Sequence, residues 1–360
     1  MRIAQVYYKY YPYVGGVEAV VKEISERLAR KAFYVEVLSQ DPEGKYPSEE
    51  MINDVKVRRF KTGPLGIDLR SCGTLRQYLK EKGSQYDIIH AHSYHAFPAL
   101  YAAWGKGKSR FIFQPHYHGR GHTLLMSLLH KPYKFVGRGI FDKADKVICV
   151  SEAEKCLVEK DFPNSKGKVA VIPNGVDIES ISEATPFSYE ERCLLYVGRL
   201  EKYKNVHLII NTMPYLTEEY KLIIIGDGTY KSKLFQSINR LHLVDRVKIL
   251  SGLPDEEVYR WYKTCNLVLN LSCQEAFGIT ILEALAAGKP AIVNNRAALA
   301  EFAAKFDQVH TLQAEALSPE QLAEQIALRC NGEASTPDLS EYSWESITSK
   351  VISVYKEAIS

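Results

Sequence analysis

The 360-residue sequence lacks several features that define whole classes of protein. Its seven cysteines are scattered, odd in number and without a Cys-x-x-Cys pair, which argues against a disulfide framework and against a zinc finger. No apolar run approaches the length of a membrane-spanning helix. A strand pattern follows Met1 directly, without a signal peptide. We therefore expect a cytoplasmic protein whose thiols are reduced and buried.

Two further absences narrow the function. The glycines of Val14–Val17 and Ile225–Thr229 lack the three-glycine spacing of a nicotinamide-binding fingerprint. No motif that reads the grooves of a nucleic acid accompanies the basic residues, so we expect no nucleic-acid partner. Disorder is excluded as well, because 46% of the residues are hydrophobic.

Strand and helix patterns alternate along both halves of the chain, which is typical of α/β proteins with parallel sheets. Apolar runs in the first half predict strands at Ile3–Tyr7, Val35–Ser39, Val55–Phe60, Ile88–His90, Phe111–Gln114, Val147–Val150 and Val169–Ile172. In the second half they predict Leu194–Val197, Leu222–Ile225, Val247–Leu250, Leu267–Leu271 and Ala291–Val293. The polar segment 177–192 is the expected linker. We thus predict two doubly wound domains, residues 1–183 and 184–343, and a C-terminal helix at 344–360.

Charge is distributed unevenly between the two halves. Residues 1–190 hold 28 Lys and Arg against 22 Asp and Glu, whereas the remainder holds 18 against 21. Residues 88–141 contain no acidic side chain, and seven of the ten histidines lie there: His90, His92, His95, His116, His118, His122 and His130. Neither a carboxylate nor a cysteine accompanies these histidines at a fixed spacing, so we expect no metal site.

The Leu-rich part of this basic stretch, residues 118–138, has two interpretations. Apolar Leu124, Leu125, Met126, Leu128 and Leu129 flanked by cations could dock on an anionic membrane or beneath a phosphorylated lipid carrier. The equal alternative is a buried helix with a solvated basic end. The positive first half favours a polyanionic or membrane-bound partner.

The most informative segment sets Glu275 and Glu283 on either side of Gly278, which opens a predicted helix directly after a buried strand. Free N–H groups at such a helix start can bind a phosphate, and glycine leaves the approach open. Both carboxylates could accept hydrogen bonds from the hydroxyls of a nucleotide sugar that lies across the helix end. The alternative is a capping box, in which Thr280 and Glu283 only satisfy their own helix.

Arg199 and Lys204 follow the predicted strand Leu194–Val197. A guanidinium and an ammonium near one loop would stabilise the charge that develops on a departing diphosphate. The alternative is a pair of solvated cations beside Glu201, which is an ordinary surface pattern.

Gly15 and Gly16 leave the backbone bare where the first predicted helix begins. Such a turn lets a donor phosphate or an acceptor approach the helix N–H groups. A plain tight turn is the competing account, because an isolated glycine pair is a weak signal.

Five segments, in this order along the chain, resemble the family-4 glycosyltransferases, which are retaining enzymes of the GT-B fold. They are Val14-Gly-Gly-Val-Glu18, Lys146–Glu152, Val171–Asp177, Tyr196–Asn205 and Gln274–Pro290. The resemblance spans nearly the whole chain. It implies two Rossmann-like domains, of which the first binds the acceptor and the second binds the nucleotide-sugar donor. It also implies that the C-terminal helix crosses back to the first domain.

The resemblance assigns roles to individual residues. It implies that Glu275 hydrogen-bonds the transferred sugar and that Glu283 holds the ribose. The diphosphate contacts that it implies come from Arg199, Lys204 and the backbone of Gly278–Ile279. A histidine after the fifth predicted strand contacts the sugar in this family, and His116 holds that position. Gly15 and Gly16 stand where the family's first loop approaches the donor.

These roles describe a retaining transferase that moves a sugar from a UDP- or GDP-linked donor to an acceptor hydroxyl without a metal cofactor. A growing glycan, a lipid carrier and a small metabolite all fit the family as acceptors, and peripheral contact with an anionic membrane would accompany the lipid. The alternatives are a nucleotide-sugar epimerase of the same fold and a catalytically silent sugar-nucleotide binding protein.

Two departures from the family pattern bear on the predicted site. Asn205 stands where a glycine is frequent, directly after Lys204. Residues 296–301, Arg-Ala-Ala-Leu-Ala-Glu, replace a segment in which a glycine pair commonly precedes the glutamate.

Overall fold

A computed structural model of the chain describes residues 1–13, 15–62, 72–119, 124–330 and 335–360, with the backbone alone for 124–132. The chain divides into two compact units, one formed by Met1–Gly175 with Trp344–Ser360 and the other by Val176–Ser343. The second unit thus begins before residue 184, the predicted boundary. The expected linker 177–192 belongs to it and contains a short helix, because the Asp177 side chain caps the turn by accepting from the Ser180 N–H at 3.2 Å.

The first unit is built on an eight-stranded sheet with the order β3-β4-β2-β1-β5-β6-β7-β8. Its strands are β1 Arg2–Val6, β2 Tyr34–Asp41, β3 Glu49–Ile52, β4 Val55–Lys61, β5 Ile88–His92, β6 Arg110–Gln114, β7 Lys146–Cys149 and β8 Val169–Val171. All neighbours are parallel except β3 and β4, which are antiparallel. Strands covered on both faces are mostly apolar, and the polar residues that the central strands do contain, such as Gln5, His90 and His92, are buried.

Helices connect these strands and cover the sheet. They are α1 Gly16–Arg30, α2 Gly73–Lys82, α3 Phe97–Gly105, α4 Leu124–Lys143 and α5 Glu152–Asp161. Helix α1 packs on the sheet with an apolar face, on which Val20, Val21, Ile24 and Leu28 are buried.

The second unit is built on a six-stranded, fully parallel sheet with the order β11-β10-β9-β12-β13-β14. Its strands are β9 Arg192–Val197, β10 Tyr220–Ile225, β11 Val247–Leu250, β12 Leu267–Asn270, β13 Ala291–Asn294 and β14 Val309–Leu312. Its helices are α6 Ile178–Glu183, α7 Val206–Thr212, α8 Lys231–Arg240, α9 Asp255–Thr264, α10 Ile279–Ala286, α11 Ala297–Lys305 and α12 Pro319–Cys330. The order reverses between β9 and β12, and parallel sheets bind ligands outside the carboxyl ends of strands at such a switch point.

The last helix, α13 Trp344–Ile359, belongs to the first unit, as the family resemblance implies. Its buried Tyr355 hydroxyl accepts a hydrogen bond from Gln5 of β1 at 3.1 Å and lies 2.8 Å from Nδ1 of His90 of β5. Gln5 also bonds His92 at 2.9 Å. Two of the histidines in the basic stretch are therefore part of the hydrogen-bonded core under α13. In the described part of the chain, no helix is both long enough and apolar enough to cross a membrane.

Candidate active site

The loops after β9 and β10 stack on each other at the carboxyl end of the second sheet. Gly226 has a positive φ of 155°, and a Cβ there would lie 1.9 Å from the carbonyl oxygen of Gly198, so only glycine fits. The carboxylate of Glu201 accepts a hydrogen bond from the Thr229 hydroxyl at 2.7 Å. Glu201 thus joins the two loops to each other instead of neutralising a cation beside it.

Lys204 and Glu275 form an ion pair at this end of the sheet. Lys204 lies in a short turn after β9, whereas Glu275 follows β12, the neighbouring strand. Only 10% and 16% of their side-chain areas are exposed. Asn270, the last residue of β12, adds a long hydrogen bond of 3.5 Å to the same carboxylate oxygen. The interpretation of Lys204 as a solvated cation is therefore wrong.

Arg199 is exposed, in contrast to Lys204. Its guanidinium donates to the Tyr203 hydroxyl at 3.0 Å, and its carbonyl accepts from the Tyr196 hydroxyl at 2.9 Å. Among the described residues no carboxylate pairs with this guanidinium. The charge of Arg199 is thus available to a ligand at the rim of the site, while the hydrogen bond from Tyr196 fixes its backbone.

Helix α10 begins at Ile279, directly after Gly278, without a side-chain cap. Gly278 has a φ of 100°, and a Cβ there would lie 2.8 Å from Cδ2 of Leu299. A larger residue would therefore meet both backbone strain and a clash. The first N–H groups of α10 remain without a side-chain partner, which is the arrangement that binds an anion.

The capping-box alternative is wrong, because Thr280 lies inside α10 and its hydroxyl contacts Asn270 of β12 at 3.2 Å. Glu283 points to α9 instead, where its Oε2 accepts a hydrogen bond from the Tyr262 hydroxyl at 2.7 Å. Burial raises the pKa of Glu283 to about 7 against the opposing hydrogen bond from Tyr262, with a further rise from Asp255. The carboxyl is thus free to serve a ligand instead of its own helix.

A second polar cluster supports the loop between β12 and Glu275. Glu315 accepts hydrogen bonds from the thiol of Cys273 at 2.8 Å, the amide of Asn294 at 3.1 Å and the amide of Asn205 at 3.3 Å. Asn205 also donates to the Leu271 carbonyl at 3.0 Å. Its φ of 58° is left-handed, which explains how asparagine replaces the family's frequent glycine here. The departure therefore keeps the backbone path that carries Lys204.

The other departure has a different consequence, because Ala297 begins α11 with a φ of 47°. An alanine in the left-handed region destabilises the folded state by about 1–2 kcal/mol. A glycine avoids this strain, but it lowers the free energy of unfolding by about 0.4–1 kcal/mol because the unfolded chain gains conformational entropy. We expect Ala297→Gly to raise the free energy of unfolding by about 0.5–1 kcal/mol. Urea unfolding measures this. The control is Ala298→Gly in the same helix, which should lower it by about 1 kcal/mol; a loss in both variants would contradict the strain at Ala297.

In the first unit, helix α1 begins at Gly16 after an extended Gly15. A Cβ on Gly15 would lie 2.3 Å from Oε2 of Glu18, whereas a Cβ on Gly16 would meet nothing within 4 Å. The Glu18 carboxylate thus lies against the turn, and a phosphate approaching Gly15 would meet a negative group. This geometry favours the acceptor alternative over the donor phosphate for Gly15 and leaves Gly16 open.

His116 lies two residues beyond β6 with a left-handed φ of 48°. It is buried, and its Nε2 has no hydrogen-bond partner among the described residues. Its ring stacks against that of His92 at 6.0 Å between centroids. Burial lowers its pKa to about 4, so the imidazole is neutral near pH 7. The next N–H, of Tyr117, donates to the buried carboxylate of Glu154, which also accepts from the Val150 N–H at 2.6 Å. His116 is therefore fixed by its backbone while its ring can still hydrogen-bond a ligand.

Within the described residues, no three His, Cys, Asp or Glu side chains are placed to hold one metal ion. Two histidines of the basic stretch, His122 and His130, and the Leu124–Leu129 side chains lie outside the described part.

The sequence predicted Lys204, Glu275, Glu283 and His116, but it did not predict the residues that hold these side chains or their loops in place. The missed residues are Glu154, Tyr262, Asn270 and Glu315. Asn270 could have been found as a polar residue at the end of a buried strand. The others act across helices and strands far apart in the chain, and nothing local marks them.

Comparison with known proteins shows the family and the fold of the chain. Residues 14–180 match Glycosyltransferase Family 4, and residues 177–345 match Glycosyl transferases group 1. An uncharacterised glycosyltransferase of Methanocaldococcus jannaschii is 27% identical over 357 residues, which cover 97% of this chain and 96% of that protein.

Two solved structures share the fold. Sucrose-phosphate synthase from Thermosynechococcus elongatus has a TM-score of 0.80 at 18% identity, over 99% of this chain and 98% of that one. Anabaena HepE in complex with UDP and glucose has a TM-score of 0.76 at 19% identity, over 99% and 100%. The two family matches follow each other along the chain, and the sheets of the two units are built mainly from parallel strands. The chain therefore belongs to the family-4 glycosyltransferases of the GT-B fold.

Proposed function

We propose that the protein is a retaining glycosyltransferase that takes a sugar from a UDP- or GDP-linked donor. The observation that carries this proposal is the Lys204–Glu275 ion pair beside the uncapped start of α10. A cation and free N–H groups suit a diphosphate, and a carboxylate suits sugar hydroxyls. The complex of a fold relative with UDP and glucose supports a nucleotide-sugar donor.

In the proposed complex, the diphosphate lies against Lys204, Arg199 and the Gly278–Ile279 backbone. Glu275 accepts hydrogen bonds from the transferred sugar, and Glu283 accepts them from the ribose. Transfer breaks the bond between the sugar's anomeric carbon and the phosphate oxygen, and forms a bond from the acceptor oxygen on the same face. The departing phosphate takes the acceptor proton. Arg199 and Lys204 stabilise the charge on that phosphate, and no metal takes part.

The first unit contributes the acceptor side in this proposal. His116 presents a neutral imidazole to the transferred sugar, and Gly15 and Gly16 let an acceptor approach the start of α1. The positive first half of the chain favours an acceptor with negative charge or one at an anionic membrane. Phe135 and Trp104, 83% and 55% exposed, offer apolar surface on the same unit. We therefore favour a lipid-linked acceptor at the cytoplasmic face of a membrane over a free glycan or a small metabolite.

The alternatives lack comparable support. An epimerase needs acid and base groups around the sugar ring, whereas the charged pair here combines a cation with one carboxylate. A silent binding protein predicts donor binding without turnover. Release of nucleoside diphosphate only in the presence of acceptor would exclude both.

The donor site is tested by thermal unfolding against a panel of nucleoside diphosphates and their sugars, with and without Mg²⁺. Ligand at one hundred times Kd stabilises the folded protein by about 2.7 kcal/mol, and we expect one base to raise the Tm without metal. Glu283→Gln should reduce this shift, because its carbonyl oxygen would accept from the Tyr262 hydroxyl and its NH₂ group, which cannot accept from the ribose, would face the ligand. Glu183→Gln, an exposed carboxylate of the same unit, should keep it. The absence of a shift with every ligand would reject the proposal.

A further inference from the structure

The Glu283 carboxylate is held on one side only. Tyr262 of α9 is fully buried, and its hydroxyl donates to Oε2 at 2.7 Å. The other oxygen, Oε1, accepts no hydrogen bond from the described residues, and the side chain is partly exposed. The two oxygens of one carboxylate thus have different surroundings, a buried donor on one and an open side on the other.

Packing alone does not require the Tyr262 hydroxyl, because phenylalanine would fill the same space between α9 and α10. A buried hydroxyl needs a partner, and a charged partner makes the bond stronger than a neutral one. The bond also fixes the carboxylate plane, since Tyr262 is rigid in the core while Glu283 has three rotatable side-chain bonds. A fixed plane orients Oε1 before any ligand arrives, which lowers the ordering cost of binding.

We propose that Tyr262 is a positioning residue for the donor, whose buried hydroxyl holds Oε2 of Glu283 so that Oε1 is presented to the ribose hydroxyls. This inference rests on the proposed function, in which Glu283 contacts the ribose. Tyr262 itself does not touch the ligand, and it acts through Glu283 alone.

The electrostatics of the pair support this role. Burial raises the pKa of Glu283 to about 7, the Tyr262 hydrogen bond opposes that rise, and Asp255 adds to it. Of the titratable groups on the elements packed against α10, which are α6, α9, β12 and β13, Asp255 and Tyr262 act on this carboxyl. Without the Tyr262 hydroxyl the anion loses a donor, so the pKa of Glu283 rises further and the carboxyl is protonated at a higher pH.

The test is Tyr262→Phe, which removes one oxygen and keeps the ring. Isothermal titration with the nucleoside diphosphate that stabilises the wild type should give a Kd raised roughly tenfold near pH 7. The pH below which binding weakens should move upward. The donor KM should rise with kcat nearly unchanged, because the sugar and phosphate contacts remain. The matched control is Tyr220→Phe. Tyr220 is a buried tyrosine at the amino-terminal end of β10 in the same unit, and its hydroxyl accepts a hydrogen bond from Arg192 at 3.3 Å.

A double-mutant cycle keeps the inference testable if Tyr262→Phe loses stability. Because Tyr262 acts through Glu283, Tyr262→Phe should weaken binding no further in a Glu283→Gln background. A purely structural tyrosine would lower the Tm and leave the Kd and its pH midpoint where they are in the wild type, and that result would overturn the inference alone. Absence of nucleoside diphosphate binding by the wild type would instead overturn the proposed function and this inference with it.

Discussion

Glu275→Gln is expected to lower kcat by about a thousandfold while the protein stays folded. Glutamine keeps the size of the side chain and an oxygen that can still accept from Lys204, so the change removes the charge and keeps the contact, at some cost in stability because the ammonium stays partly buried. The proposed contact to the sugar needs that charge most when the bond to the diphosphate breaks. Removing a group that acts mainly in the transition state lowers kcat more than it raises KM.

Release of nucleoside diphosphate in the presence of acceptor measures the rate, and circular dichroism checks the fold. The control is Glu218→Gln. Its carboxylate is 87% exposed and pairs with Arg246 at 3.3 Å, far from the carboxyl ends of the strands. A surface pair of this kind contributes little to stability, so the control should keep both its rate and its Tm. Wild-type turnover in Glu275→Gln would remove Glu275 from the mechanism.

Most of the fold could be predicted because its central strands are buried on both faces and consist mostly of apolar residues. The two strands that were missed, β3 and β14, are short edge strands. Strand β3 reads Glu-Glu-Met-Ile with half of its residues exposed, and β14 reads Val-His-Thr-Leu with three residues partly exposed. An edge strand is covered less completely, so its sequence carries polar residues that hide the pattern.

Less of the candidate site than of the fold could be predicted from the sequence. The motifs located Lys204 and Glu275 separately, but their contact joins positions 71 residues apart. It depends on β9 lying beside β12, which no local pattern specifies. The capping box failed for a related reason, since Thr280 and Glu283 have the right spacing but the N-cap of α10 is Gly278, two residues before Thr280. Gly278, with its left-handed φ, ends the preceding turn there, and backbone geometry of this kind outweighs a side-chain pattern.

Lys204→Met is the second large prediction, with an expected fall in kcat of roughly a hundredfold to a thousandfold. Methionine keeps the apolar stem that Lys204 buries and removes the ammonium that we place on the departing diphosphate. Among the described residues, the substitution also leaves Glu275 with only the long hydrogen bond from Asn270, so a loss of stability should accompany the loss of rate. These two losses need to be separated before the lysine can be assigned to the chemistry.

The double variant Lys204→Met with Glu275→Gln separates them. It removes both charges, so no unpaired ion is left partly buried, and we expect most of the Tm to return. Its rate should fall well below that of Glu275→Gln alone, because neutralising the pair restores packing but supplies no cation to the phosphate. Lys202→Met, an exposed lysine in the same turn, should match the wild type in both measurements. A double variant as fast as Glu275→Gln alone would mean that Lys204 only balances Glu275, and the charge on the leaving phosphate would then have to be stabilised by Arg199 and the start of α10.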